Sequence, residues 1–79
     1  MVISPDDEFV VTVSEDFGAA LRHFRTQQQL SQAVVADWES VSQPYLSALE
    51  AGSFGSSLSH ALRILRLLGC EIVVRSVQT

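Results

Sequence analysis

Residues 30–52 read Leu30-Ser31-Gln32-Ala33-Val34-Val35-Ala36-Asp37-Trp38-Glu39-Ser40-Val41-Ser42-Gln43-Pro44-Tyr45-Leu46-Ser47-Ala48-Leu49-Glu50-Ala51-Gly52. Ser31 and Ser42 stand eleven positions apart, and apolar residues at helical spacing follow each. A serine ahead of such a run accepts a hydrogen bond from the free N–H groups of the first turn, so both read as N-caps. The spacing predicts a helix over residues 32–38, with Val35 and Ala36 inward and Trp38 half-buried. Glu39-Ser40-Val41 is the turn. A second helix is expected over residues 43–51, with Leu46 and Leu49 inward. Pro44 falls in its first turn, where no backbone donor is needed. Gly52 suits the left-handed residue that closes it.

Toward the N-terminus, Ser14 reads as the cap of a helix over residues 15–28, with Glu15 and Asp16 near the positive end of its dipole. Phe17, Ala20, Leu21, Phe24 and Gln28 share one face. Gly18 weakens this helix, and close packing there is the expected compensation. Residues 8–13 are β-branched and aromatic and read as a short strand, while residues 1–7 read as a loose terminus or turn.

Toward the C-terminus, residues 52–57 read as a loop and Ser57 as the cap of a helix over residues 58–68. Leu58, Ala61, Leu62, Leu65 and Leu68 share a face, and Ile64 and Leu67 widen the stripe beyond what one small core needs. Gly69 ends the helix. Residues 70–77 read as a strand, with Cys70 a small buried residue at its start. The two strands have no other sheet to join. They could pair with each other, with a second copy, or both, and a dimer would build a sheet of up to four strands. The expected organisation is an acidic arm with a strand (1–13), a helical body (14–69) and a dimerisation strand (70–79).

The 79 residues make one small domain, and 47% hydrophobic against 18% charged residues suggests apolar surface to be covered by a second copy. The chain has no lysine and a formal net charge of −4. Five of its nine acids lie within residues 1–16: Asp6, Asp7, Glu8, Glu15 and Asp16. Beyond them, four acids face five arginines, leaving one positive charge, so the negative balance belongs to the arm. The lone Cys70 excludes an intramolecular disulfide, and no ligand spacing points to a metal or other cofactor. Without a basic leader or an apolar run of spanning length, the chain is expected to be soluble and cytoplasmic, with no membrane partner.

Two short helices across a tight turn make a helix-turn-helix, whose second helix enters the DNA major groove. The residues resemble the lambda-repressor/Cro-type, or XRE-like, family. Its pattern is Leu-Ser/Thr-Gln-x-x-Leu-Ala, three variable residues, Gly-Val-Ser, three more, then Ile/Leu-Ser-x-x-Glu-x-Gly. Leu30, Ser31, Gln32, Val35, Ala36, Val41, Ser42, Leu46, Ser47, Glu50 and Gly52 fit it. Leu21, Arg22 and Arg25 match the Leu-Arg-x-x-Arg of the family's first helix, whereas Gln29 and Ser40 stand where glycine is usual. The resemblance covers residues 17–69 and implies a mainly α fold, a compact four-helix domain whose short terminal strands pair in a dimer. The last helix and strand resemble HipB-type antitoxins and related small repressors. In those proteins the strand helps build the dimer, and the protein represses its own operon while binding a toxin.

Gln43 opens the recognition helix, where its amide can give adenine a bidentate hydrogen bond or simply remain solvated. The resemblance implies phosphate contacts from Gln32, at a helix N-terminus, and from Arg22. Pro44 and Tyr45 occupy outward positions; Tyr45 can reach a phosphate, a base or a thymine methyl, or pack along its own helix. Ser47 and Ala48 are small enough to permit close approach. Ser31 and Ser42 are caps first, with hydroxyls that reach phosphate second. The resemblance also implies a structural ion pair, Arg25 with Glu50. Ile64, Leu67, Ile72, Val73 and Val74 are the dimerisation residues. Arg63 and Arg66 could serve phosphate or dimer contacts, and His23 and His60 read as ordinary surface or boundary residues.

The chain shows no nucleophile–base pairing, phosphate loop or metal cluster, so it is not expected to be an enzyme. The function expected is a homodimeric, sequence-specific DNA-binding repressor, prokaryotic or phage-encoded, acting on a pseudo-palindromic operator. It could double as the antitoxin of a toxin–antitoxin operon. The alternative is a protein-interaction module on the same scaffold, an anti-repressor or toxin-neutralising protein.

Overall fold

The computed structural model describes residues 8–77. The expected loose terminus, with Asp6 and Asp7, lies outside the described residues. The elements are β1 (Glu8–Val11), α1 (Ser14–Gln27), α2 (Gln32–Glu39), α3 (Gln43–Glu50), α4 (Ser56–Leu67) and β2 (Ile72–Arg75). The first and last elements pair antiparallel within one chain, Phe9 opposite Val74 and Val11 opposite Ile72. Alternation along each strand turns Phe9 and Val11 to the core and leaves Val10 and Val73 exposed. An exposed ion pair, Glu8–Arg75 at 3.7 Å, adds little at the sheet's outer end.

Phe9, Val11, Ala20 and Leu62 form the buried core, with Phe17, Phe24, Leu58, Ile72 and Val74 packed against it. The sheet, α1 and α4 share this core. Ala36 and Leu46 are buried on the inward sides of α2 and α3. Gly18 is where α1 meets α3: a Cβ there would strike the Leu49 carbonyl oxygen and lie 2.6 Å from that of Glu50. The helix-weakening glycine permits this backbone approach.

The four helices of the described residues close by one device, a left-handed residue at the cap (α2) or just after it (α1, α3 and α4) and a backbone N–H reaching back over the last turn. The left-handed residues are Gln29 and Ser40, both with φ 59°, then Gly52 and Gly69. The closing bonds run from the N–H groups of Leu30, Val41, Ser53 and Cys70 to the carbonyls of Arg25, Ala36, Ala48 and Leu65. Side chains pay a steric penalty in this conformation that glycine avoids. Gln29→Gly and Ser40→Gly should therefore each raise stability by about 0.5–1 kcal/mol, net of the added freedom of the unfolded chain. Urea midpoints of the single and double variants check this.

Ser31 and Ser42 act as N-caps, accepting from the N–H groups of Val34 at 3.1 Å and Tyr45 at 3.2 Å. Ser14 does not. Val13 is the extended capping residue, so Ser14 lies inside α1, buried, with its hydroxyl 2.9 Å from that of Ser59 on α4. Asp16 holds the entry instead, accepting from the N–H and hydroxyl of Thr12, both at 3.1 Å, and from the Val13 N–H. Nor does Ser57 cap α4: Gly55 takes the extended capping conformation and the helix starts at Ser56.

The strands are shorter than the apolar runs that announced them. Cys70 is exposed, because the chain is still leaving the α4 closure and β2 begins only at Ile72. Ala61 and Leu68 are exposed as well, since the single side of α4 that meets the core is filled by Leu58, Leu62 and Leu65. Trp38, expected half-buried, is 67% exposed; Val35 and Ala36 take the inward side of α2.

Candidate nucleic-acid interface

The α2–turn–α3 unit has two sides of different chemistry. On α3, Leu46 and Glu50 are buried, while Gln43, Pro44, Tyr45 and Ser47 are exposed and Ala48 is half-buried. The outward half of α3 is therefore an amide, a proline ring, a phenol and a small hydroxyl. The hydroxyl oxygens of Ser31 and Ser42 already accept cap bonds.

The inward side is organised on one carboxylate. Arg25 reaches from α1 and grips Glu50 with two bonds, Nε to Oε2 at 2.6 Å and Nη2 to Oε1 at 2.9 Å. Its third nitrogen donates to the Leu30 carbonyl at 2.6 Å, fixing the link between α1 and α2. Gln32, at the start of α2, donates to Glu50 Oε1 at 3.0 Å. Three helices thus meet at Glu50. The Arg25 hydrogen bonds hold the Glu50 carboxyl below the usual carboxylate range; burial opposes this, and Gln32 and nearby Arg22 assist. The same bonds raise the Arg25 guanidinium above its ordinary value, again against the cost of burial.

The spacing of residues gave no sign of the Gln32 bond or of the Leu30 carbonyl contact. A glutamine at a helix start looks solvent-facing, and a backbone acceptor has no signature in sequence. Here Gln32 is half-buried and turned toward Glu50. Arg22, Arg63 and Arg66 are exposed on α1 and α4, and no lysine or arginine lies between Arg25 and Arg63. His23 is half-buried, its ring 5.8 Å from Phe9 and 4.9 Å from Phe24. Among the described residues no cluster of His, Cys, Asp or Glu could hold a metal ion, and no helix is long and apolar enough to cross a membrane.

Residues 16–76 match a family model described as a helix-turn-helix domain. The chain belongs to this helix-turn-helix family. The match spans α1 to β2, in agreement with the lambda-repressor/Cro-type resemblance. Comparisons with curated proteins and with solved structures give no match. Helix-turn-helix domains are typically non-enzymatic DNA-binding modules, and this membership suggests a DNA-binding regulator.

Proposed function

We propose that this helix-turn-helix protein is a sequence-specific transcriptional repressor that binds a pseudo-palindromic operator as a homodimer. The observation that carries the reading is the two-sided α3: its inward side is locked through Glu50, and Gln43, Pro44, Tyr45 and Ser47 are left outward over its first five residues. A rigid helix with an exposed amide at its start is what base-edge recognition in the major groove requires. Arg22 supplies a phosphate contact, and Ser31, Gln32 and Ser42 border the backbone at helix starts. Support for the homodimer comes from Ile64 and Leu67 on α4 and Leu68 at its cap, which are 55%, 86% and 70% exposed, and from Val73 on the sheet's outer face. Ile72 and Val74 face inward in the monomer, so the dimer role falls on Val73 and α4. Half-sites would lie about one DNA turn apart.

Selection of binding sites from random duplex tests the reading, and the absence of any enriched palindrome at low salt would overturn it. Gln43→Ala should relax preference at one base position, at a cost of about 1–3 kcal/mol on the preferred base. Arg22→Ala should instead weaken all sequences alike and lower the salt slope by about 1. Competition titrations on matched and mutated duplexes separate the two outcomes.

A second reading, a module whose main partner is another protein, is favoured by the scarcity of cations. An antitoxin that also represses its operon would combine the two. A purified complex of fixed stoichiometry that excludes operator DNA would favour it.

A further inference from the structure

Val34 and Trp38 are one turn apart on the outward side of α2, 40% and 67% exposed. Trp38 is the chain's one tryptophan. Asp37 and Glu39 stand beside it, both exposed, and among the described residues neither has an ion-pair partner. Apolar area of this kind is costly to leave in water, and a tryptophan is the side chain that most often anchors a protein interface. Nothing in the domain's own core uses it.

The surrounding charge selects the occupant. Two carboxylates with no lysine or arginine between Arg25 and Arg63 repel DNA phosphates and anionic lipid alike. A second copy docked through the same face would set these acids against their own images across the two-fold axis, where like charges oppose. A cation is favoured twice, by the carboxylates and by the face of the indole ring.

We propose that the outward face of α2, Val34 and Trp38 bordered by Asp37 and Glu39, docks a protein segment that presents arginine or lysine among apolar residues. These residues lie on α2 and not on α3, and the proposal does not rest on α3 reading DNA.

Trp38 reports its own occupancy by fluorescence. The probes are a synthetic amphipathic helical peptide of leucine and arginine and a twin with glutamate at every arginine position. The arginine peptide should give a saturable blue shift and bind at least about tenfold tighter than its twin. Asp37→Arg with Glu39→Arg, both at exposed positions, should reverse the preference. The proposal fails if the arginine peptide gives no saturable shift or if both peptides act equally. It also fails if duplex DNA, or self-association with rising concentration, shields Trp38 from acrylamide. Should the charge-reversed variant not fold, the comparison of the two peptides on the unaltered chain decides alone.

Discussion

Glu50→Ala is expected to cost about 3–5 kcal/mol, because it strands the Arg25 guanidinium in a partly buried site with its main partner gone. A small domain holds only about 5–15 kcal/mol in total, so the variant should lose a large share of its stability and melt well below the native chain. Arg25→Ala should be comparable, leaving a carboxylate whose side chain is 4% exposed without its cation. Arg25→Met combined with Glu50→Leu should recover much of the loss, since replacing both partners by apolar groups leaves no orphaned charge. Loss of DNA binding in either single variant would then reflect unfolding, which circular dichroism separates from a damaged reading surface. The pair also sets a pH dependence. The Glu50 carboxyl titrates below its unfolded value, so its contribution is complete above the usual carboxylate pKa of about 4.3 and drains away as pH falls toward the depressed value. Urea titrations from neutral to acid pH should show this decline in the native chain and lose that component in Glu50→Gln.

Gly18→Ala should destabilise the fold although alanine favours helix by about 1 kcal/mol over glycine. The added methyl meets backbone only: the Leu49 carbonyl oxygen, that of Glu50 at 2.6 Å, and the Gly52 nitrogen at 2.7 Å. No side chain can rotate aside, so α1 and α3 must separate. Overpacking of this kind costs about 1–3 kcal/mol and would also lengthen the Arg25–Glu50 bonds, which cross the same interface. Thermal melts and the hydrogen-exchange protection of residues 49–52 test this. A stabilised, fully protected variant would show that the two helices can part without cost.

These effects also mark how far the sequence was legible. Features governed by local backbone chemistry were readable: the caps at Ser31 and Ser42, the left-handed Gly52, and Gly18 as a close-packing point. Features decided by competition for the core were not. Ser14 has every property of an N-cap, but Val13 takes the extended conformation and the hydroxyl of Ser14 is drawn to Ser59 across the core. Trp38 and Cys70 are apolar by type, yet one small core has room only for the neighbours that reach it first. The outward set on α3 followed from the inward positions of Leu46 and Leu49, while the Gln32 bond to Glu50 depends on three helices being assembled together.

The pairing of β1 with β2 imposes an order in time. Glu8 and Arg75 are 67 positions apart yet directly opposite in the sheet. The contacts that close α1, α2 and α3 are available while the chain is still emerging, whereas Phe9 and Val11 have no strand partner until Ile72–Arg75 exists. The sheet is thus the contact that must wait for the end of the chain, and long-range pairing must meet its loop-closure cost before it is rewarded. A chain that ended before residue 72 would leave Phe9 and Val11 without the strand that covers them, and would open the core that the sheet shares with α1 and α4.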